Sequence, residues 1–155
     1  MEKGELILED RLYTTEHDWI QKVGDKRYKV GITDFAQHAL KDIYVIELPK
    51  LGQVLTKGQD YGILEASKDV FTLKMPITGK IIAINEKEKF GEINDDEGET
   101  ATRVIFGGDL YNLNKKPYET WLIEIETDDE SQLEKLLKPD DYKKEIEKYK
   151  KSDEA

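Results

Sequence analysis

Short apolar segments separated by turn-forming residues make up the first two-thirds of the chain. In RYKVGI (27–32), Tyr28, Val30 and Ile32 alternate with charged or small residues, the period of two that is typical of a half-buried strand. Similar segments, each followed by turn residues, are YVIELP (44–49), YGILEA (61–66), VFTLKM (70–75) and KIIAI (80–84). WLIEIE (121–126) alternates too, and its first, third and fifth residues are predicted to point inward. The pattern predicts a mainly β protein of two small antiparallel sheets packed face to face.

Two segments have the period of helices instead. TDFAQHALKDI predicts a short helix near residues 34–41, with Asp34 as its N-cap and Gln37 closing a capping box. Near the end of the chain, residues 131–151 are predicted to be helical because their apolar residues fall on one side. These residues are Leu133, Leu136, Leu137, Tyr142, Ile146 and Tyr149. We expect this tail to cover apolar surface of the β core.

An acidic segment interrupts the strand pattern at about residues 86–117. Five of its carboxylates fall within residues 92–99, namely Glu92, Asp95, Asp96, Glu97 and Glu99. Long connections of this kind are usually surface loops, and TRVIF (102–106) alone has the composition of a strand. We therefore expect one domain over residues 1–155 with an inserted acidic loop. The loop is either simply solvated or a docking surface for a basic partner.

Composition narrows the classes of function. The net charge is −10, which argues against nucleic acid because phosphate binding needs basic patches. No apolar run approaches the roughly 20 residues of a membrane span, and charges in the first eleven residues exclude a signal peptide's apolar region. A cytoplasmic location without membrane contact is expected. The chain has no cysteine, so any sulfur chemistry requires a cofactor. His17 and His38 lack metal-ligand spacing, and no metal site is expected.

Lys68 is distinguished from the other lysines by its position. In LEASKDV almost no residues separate two predicted strands, so Ser67 and Lys68 are expected at the outer corner of a tight hairpin. A modifying enzyme could reach the side chain there. Glu65 and Asp69 flank the corner and would mark its rim for such an enzyme. Taken alone, a charged turn of five residues is more often just a solvated turn.

The residues that follow Lys68 favour the functional interpretation. Pro76 lies eight residues after Lys68 and Gly79 eleven residues after it, the spacing found around the modified lysine of lipoyl and biotinyl domains. Six blocks resemble, in the same order, the glycine cleavage system H protein family. They are YTTEHDWI (13–20), VGITDFAQHALKDI (30–43), VIELPKLGQVLTKG (45–58), LEASKDV (64–70), MPITGKI (75–81) and YETWLIEI (118–125). The resemblance covers nearly the whole chain except roughly residues 86–117.

The resemblance implies a lipoyl-domain-type fold, a barrel-sandwich hybrid, and a carrier that is not itself an enzyme. A lipoate ligase or lipoyl transferase would attach lipoate covalently to Lys68. The arm would take the aminomethyl group of glycine from a pyridoxal-phosphate glycine decarboxylase to a tetrahydrofolate-dependent aminomethyltransferase. A flavin-dependent lipoamide dehydrogenase would then reoxidise it. Physically, the chain would contribute tethering, which raises the effective concentration of the cargo at each enzyme.

The resemblance is imperfect around the cleft that shelters the loaded arm in this family. The positions that would line it here are Glu16, Asp18, Phe35 and Thr72. Asp18 stands where glutamate is usual, Phe35 where histidine is frequent, and Thr72 where aspartate is common. A phenyl ring cannot replace an imidazole as hydrogen-bond partner of an amine. Two alternatives therefore stay open: an H-protein-like lipoate carrier of a sulfur-oxidising, heterodisulfide-reductase-like pathway, and a non-lipoylated interaction domain.

Overall fold

The computed structural model describes residues 5–85, 93–95, 102–106 and 111–154, and in them two antiparallel sheets face each other. The strands, in chain order, are β1 (Leu12–Tyr13), β2 (Asp18–Gly24), β3 (Arg27–Ile32), β4 (Ile43–Pro49), β5 (Val54–Leu55), β6 (Asp60–Ala66), β7 (Val70–Lys74), β8 (Gly79–Ile84), β9 (Ile93–Asp95), β10 (Thr102–Phe106) and β11 (Ile123–Glu126). One sheet has the order β1-β2-β3-β11-β8-β5, and the other has the order β7-β6-β4-β10-β9. The predicted mainly β, two-sheet fold is confirmed.

The core lies between the sheets and is built from the alternating residues of both. Tyr28, Val30 and Ile32 of β3 are all buried, as the period of two predicts. From the other sheet, Ile46 and Leu64 enter the same cluster. Their apolar surface is removed from water on both sides, and this burial is the main stabilising contribution of the domain.

The alternation predicted for residues 121–126 needs one correction. Ile123 and Ile125 are buried, as expected. Leu122, however, is completely buried, whereas Trp121 is partly exposed, with the Lys29 ammonium 4.8 Å from its ring centroid. Residues 121 and 122 precede β11, so the strand period does not govern them.

Helix α1 (Asp34–Leu40) is the predicted short helix, but its N-cap is Thr33 rather than Asp34. Thr33 has extended backbone dihedrals, and its hydroxyl accepts a hydrogen bond from the Ala36 N–H at 3.3 Å. Asp34 is the first helical residue, and its carboxylate accepts from the Gln37 side-chain amide at 2.8 Å. Both residues can cap a helix, and the extended strand β3 that leads into Thr33 decides between them.

The C-terminal segment is helical in two pieces, a 3₁₀ turn over Glu130–Lys135 and helix α3 (Pro139–Glu154). Between them, Leu137 pairs with Tyr13 through two backbone hydrogen bonds of 2.8 Å. Tyr142 and Ile146 of α3 are buried against Tyr13 and Trp19, whereas Tyr149 is 44% exposed. Of the predicted apolar residues, Leu133 and Leu136 therefore pack against the main core, Leu137, Tyr142 and Ile146 belong to a second, smaller core, and Tyr149 lies at its edge.

The inserted acidic segment, predicted as a loop over about residues 86–117 with a strand at TRVIF, contains more regular structure than expected in the parts that the structure describes. β9 and β10 form an antiparallel pair, and β10 extends the second sheet along β4. The strand predicted at TRVIF is thereby confirmed. Helix α2 (Tyr111–Lys115) then leads towards β11. Of the acidic residues, Asp95 ends β9, and the others of the predicted set lie outside the described residues.

The described residues form neither a membrane-spanning helix nor a cluster of metal-binding side chains. None of the helices combines the length and apolar character needed to cross a membrane. In the same residues, no group of three or more His, Asp and Glu side chains could hold a metal ion.

Candidate functional site

The β6–β7 hairpin places Lys68 at its corner. Glu65 pairs with Val70, Leu64 with Phe71 and Ile63 with Thr72, so Ser67, Lys68 and Asp69 form the turn. The Ala66 N–H donates to the Asp69 carbonyl at 3.0 Å and closes the turn. The sequence predicted this corner from the two adjoining strand patterns. The Lys68 side chain is exposed and, among the described residues, makes no ion pair.

The backbone of the corner is attached to the segment that follows helix α1. The Ser67 N–H donates to the Asp42 carbonyl at 2.9 Å, and the Lys68 N–H donates to the Leu40 carbonyl at 3.3 Å. In return, the Asp42 N–H donates to the Ser67 hydroxyl at 3.2 Å. Three hydrogen bonds therefore fix the main chain on which Lys68 stands, while its side chain remains accessible.

Carboxylates surround the corner. Glu65, Asp69 and Asp42 are all exposed, and Asp69 also accepts a hydrogen bond from the Val70 N–H at 2.8 Å. The predicted rim residues Glu65, Ser67 and Asp69 thus lie next to Lys68. Asp42 was not predicted, because it belongs to a different segment of the chain and only the folded hairpin brings it there.

The two residues whose spacing drew attention to Lys68 have structural roles. Pro76 is buried shortly after β7 ends. Gly79 begins β8, where an added Cβ would lie 2.2 Å from the Ile125 Cγ2 atom and 2.8 Å from the Glu126 carbonyl oxygen. No side chain fits there, so the close approach of β8 to β11 requires glycine.

A cavity of about 210 Å³ opens at the other end of the hairpin. Lys74 ends β7 and Met75 follows it, and both contribute to the cavity wall, together with Glu16 from the β1–β2 turn and Asp18, the first residue of β2. Its remaining lining residues are Tyr13, Thr14, Thr15, Lys57, Gly58, Pro76, Lys135, Leu136 and Leu137. The cavity therefore joins the end of β7, the β1–β2 turn and the segment before α3.

Asp18 is the chemically unusual residue of this cavity. It is 1% exposed, and its Oδ1 atom has no hydrogen-bond partner among the described residues. Oδ2 accepts only a long hydrogen bond of 3.5 Å from the Thr14 hydroxyl. Burial, and then the charge of Glu16, raise the pKa of the Asp18 carboxyl well above its usual range, since the Thr14 hydrogen bond offsets little. An unpaired buried carboxylate is costly, so this oxygen is suited to a cationic or hydrogen-bond-donating group.

Phe35 and Thr72, the other two predicted cleft residues, do not line this cavity. Thr72 lies half-buried in β7, opposite Ile63 and four residues from Lys68, roughly 13 Å along the strand at about 3.3 Å per residue. The Phe35 ring packs against His17, with ring centroids 4.5 Å apart, and against Tyr149 at 5.7 Å. The structure therefore brings Glu16 and Asp18 together and assigns Phe35 to the docking of α3.

His17 belongs to the same aromatic cluster, beside the cavity. Its Nδ1 atom is 2.9 Å from the Tyr142 hydroxyl, which is also 2.7 Å from the Thr33 hydroxyl. Burial lowers the pKa of His17 to about 4, although the nearby Glu145 charge acts in the opposite direction. His17 is thus a neutral hydrogen-bonding residue that links the β1–β2 turn to α3.

Sequence reasoning missed Lys74, which lines the cavity, and Tyr61, which lies outside its lining but close enough to Asp18 to sense its charge. Lys74 was assigned only to a strand, yet its ammonium bonds Asp60 at 2.8 Å at the edge of the site. Tyr61 was also missed, and its hydroxyl is buried without a partner among the described residues. The charge of Asp18 contributes to raising the pKa of Tyr61, after the larger effect of burial. No local pattern signals such residues, because their role depends on neighbours distant in sequence.

Comparisons with known proteins agree with this geometry. Residues 11–101 match the family model described as "Glycine cleavage H-protein". The chain is similar to the glycine cleavage system H protein of Listeria monocytogenes serotype 4a (strain HCC23), with 40% identity over 136 residues, 87% of this chain and 94% of the relative. It is also similar to the protein of that name from Mycolicibacterium vanbaalenii, with 38% identity over 86% of this chain and 92% of the relative.

A solved structure supports the same relationship. The crystal structure of a glycine cleavage system H protein from Mycobacterium marinum superimposes with a TM-score of 0.67 at 26% sequence identity. The match covers 88% of this chain and 95% of that one. The two-sheet architecture is therefore shared along almost the full length of both proteins.

Proposed function

Since this chain belongs to the glycine cleavage H-protein family, we propose that Lys68 carries its lipoyl group. The observation that carries the proposal is the corner of the β6–β7 hairpin, where an exposed lysine stands on a main chain held by three hydrogen bonds. A modifying enzyme needs access to the amine and a defined approach to it. The exposed side chain and the fixed backbone of Lys68 meet both requirements.

Family membership makes the chain a lipoate carrier in glycine cleavage. The sulfur-oxidation alternative gains no support from the comparisons, because the reported relatives bear the name of the glycine system. The partners that we propose are a lipoate ligase or lipoyl transferase, glycine decarboxylase, aminomethyltransferase and lipoamide dehydrogenase. The chain itself is proposed to be non-catalytic, and a cytoplasmic location stays a prediction from the sequence.

The residues near the corner fit an attached lipoyl group. When bound, the dithiolane supplies the sulfur for group transfer and a two-electron disulfide–dithiol couple, which a chain without cysteine lacks. Glu65 and Asp69 present negative charge beside Lys68 and favour a modifying enzyme with a basic rim. The hydrogen bonds from Ser67 and Lys68 to the end of α1 keep the base of the arm in one position.

The cavity at the other end of the hairpin fits the cargo. An amine carried by the arm is cationic near neutral pH and needs an acceptor when water is excluded. The unpartnered Asp18 Oδ1 is such an acceptor, and Glu16 adds negative charge to the same cavity. An ammonium group would also favour the ionised form of Asp18, which burial otherwise disfavours. We propose that Asp18 and Glu16 shelter the loaded arm, while Phe35 and Thr72 have no direct part.

Mapping the modification tests the central proposal. The full chain is coexpressed with a lipoate ligase, and the mass shift is located by digestion and mass spectrometry. We expect the adduct on Lys68 and its complete loss in Lys68→Arg, which keeps the positive charge. Lys41 is the matched control, since it is also exposed and lies in the segment that contacts the corner, and Lys41→Arg should remain fully modified. An adduct that persists in Lys68→Arg would refute the assignment.

The role of the chain in the glycine system has its own assay. Lipoylated carrier, glycine decarboxylase and glycine are mixed, and exchange of labelled bicarbonate into glycine is followed. We expect exchange with the wild type and none with Lys68→Arg. If a wild-type carrier that is shown to be lipoylated supports no exchange, glycine decarboxylase is not its partner.

A further inference from the structure

The turn that holds the Lys68 corner has an unfavourable backbone conformation of its own. It consists of residues 40–43, between α1 and β4, and we call it the clamp turn. Lys41 in this turn has φ 67° and ψ −143°, a region of the Ramachandran map that is almost restricted to glycine. A lysine keeps such a conformation only when surrounding contacts impose it. The carbonyls of Leu40 and Asp42, on either side of Lys41, are the ones that accept from the corner.

One side chain supplies contacts on the opposite side of the clamp turn. Asn114 of α2 accepts a hydrogen bond from the Ile43 N–H at 2.9 Å, and its amide nitrogen donates to the Lys41 carbonyl at 2.5 Å. The same nitrogen donates to the Gln37 side-chain oxygen at 3.2 Å. Asn114 therefore bonds the carbonyl of the strained Lys41, the N–H of Ile43 and the Gln37 side chain in the last turn of α1. It does so from a helix about seventy residues later in the chain.

We propose that Asn114 is a positioning residue for Lys68. Asn114 imposes the conformation of the clamp turn. The clamp turn then places two carbonyls as acceptors, that of Leu40 for the Lys68 N–H and that of Asp42 for the Ser67 N–H. Asn114 does not line the cavity that contains Asp18, so it acts on the lysine and not on the cargo. This inference rests on the proposed function, in which Lys68 must be presented to a modifying enzyme.

The expected consequence follows from how a partner binds a partly ordered site. Without Asn114, the clamp turn can leave the glycine-like conformation, and the corner loses its fixed acceptors. The enzyme then binds only the fraction of molecules with an ordered corner, so its apparent affinity falls by that fraction. The chemistry on the bound lysine is unchanged. A positioning role therefore predicts a higher KM for the carrier with an unaltered kcat.

The first measurement is amide hydrogen exchange on the unlipoylated full chain. In Asn114→Ala, the Ser67 and Lys68 amides should exchange about fivefold to tenfold faster, while those of Ile46 and Leu64 in the sheet stay within about twofold. If Asn114→Ala does not fold, Asn114→Asp carries the test. Its carboxylate still accepts from Ile43 and loses only the donations to Lys41 and Gln37. Unchanged exchange at Ser67 and Lys68 in a folded variant would overturn the proposal.

The second measurement is the kinetics of lipoate transfer to Lys68. We expect KM for Asn114→Ala to rise about fivefold, with kcat changed less than about twofold. Asn85→Ala is the matched control, since it removes a buried amide that donates to the Trp121 carbonyl at 2.7 Å, away from the corner. It should lower thermal stability without altering KM. An equal rise in KM for Asn85→Ala would reduce the Asn114 effect to general destabilisation and refute positioning.

The two measurements also separate this inference from the proposed function. If the wild type acquires no lipoyl group on Lys68, the proposed function fails, and hydrogen exchange still tests whether Asn114 holds the corner. If the wild type is modified and Asn114→Ala has the same KM, the positioning role fails while the proposed function stands.

Discussion

The two ends of the β6–β7 hairpin are built on opposite principles. At the corner, the N–H groups of Ser67 and Lys68 are both hydrogen-bonded, and the lysine side chain is exposed. At the base, next to Lys74 and Met75, Asp18 is buried with an oxygen that has no partner among the described residues. At the corner, main-chain N–H groups are hydrogen-bonded and a charged side chain is left exposed to water. The base removes a carboxylate from water and leaves it unsatisfied.

This difference corresponds to two stages of a carrier's work. A lysine that an enzyme must modify has to be reachable, and water does not harm it. An amine cargo that must survive between enzymes is better held where water is excluded and a strong acceptor is present. The corner can therefore be stable as built, whereas the base stores unfavourable free energy that a cationic partner would relieve.

The largest effect should come from Tyr142, which holds α3 over the base. Its ring is fully buried, stacks on that of Tyr13 at 4.6 Å, and its hydroxyl bonds Thr33 at 2.7 Å. Tyr142→Ala should destabilise the fold by about 3–5 kcal/mol in urea denaturation, because it creates a cavity and leaves polar groups unpaired. Tyr149→Ala, on the same helix but 44% exposed, should cost less than about 1 kcal/mol. Similar losses for both would mean that α3 is not docked through Tyr142.

Low pH should destabilise the fold through His17, which lies beside the cavity at the base of the hairpin. Its pKa is about 4 in the folded chain and 6.5 ordinarily, so the unfolded state binds more protons between these values. The stabilisation from neutral His17 is present above pH 6.5 and is lost as pH falls through about 4. The total loss in the free energy of unfolding is roughly 2 kcal/mol, after a discount for the partial exposure of His17. Comparing wild type with His17→Gln from pH 7 to 4 isolates this contribution, because Asp18 contributes equally to both. Parallel stability curves would contradict the assignment.

Removing the charge at Asp18 should raise the stability of the fold and impair the retention of the cargo. Its pKa is raised in the folded state, so its contribution to stability is present below the ordinary value of 3.8 and lost as pH rises through the folded value. Asp18→Asn should therefore stabilise the free carrier by about 1–2 kcal/mol at neutral pH. Glu16→Gln, at an exposed position, should change stability by less than about 0.5 kcal/mol.

The same variant tests the base as a shelter. After loading with glycine by the decarboxylase, Asp18→Asn should lose its cargo to water faster than the wild type, since the amide cannot balance a positive charge. The rate of release is followed with labelled glycine. A more stable Asp18→Asn that also holds its cargo as long as the wild type would show that Asp18 has no part in sheltering it.

The smallest effect concerns the clamp turn beside the corner. Lys41 has a φ of 67° with a glycine-like ψ, and relieving this strain outweighs the greater entropy of glycine in the unfolded chain. Lys41→Gly should raise stability by about 1 kcal/mol in thermal or urea denaturation. Lys50→Gly is the control, because Lys50 is exposed and has no positive φ, and glycine there should lower stability slightly. Destabilisation in both would mean that Lys41 is not strained.

Much of the corner was determined by sequence alone. The strands before and after it follow a period of two, and a hairpin with so few connecting residues must expose its central lysine. The short helix, the strand at 102–106 and the family resemblance were equally legible, since each depends on residues adjacent in the chain. Where two local signals competed, as with Thr33 and Asp34 for the N-cap, sequence reasoning chose the wrong one.

Tertiary structure alone decided the base and the clamp turn. Nothing near Asp18 in the sequence indicates that it is buried without a partner, or that Phe35 packs on His17 instead of lining the cavity. His17 meets Tyr142 across 125 residues, and Ile43 meets Asn114 across 71. Periodicity and turn chemistry report interactions between neighbours in sequence, whereas burial and hydrogen-bond satisfaction depend on which distant segments come together. That is why the sequence could single out Lys68, and the family resemblance could name Glu16 and Asp18, whereas the contacts of Asn114 and the unpartnered oxygen of Asp18 were visible only in the fold.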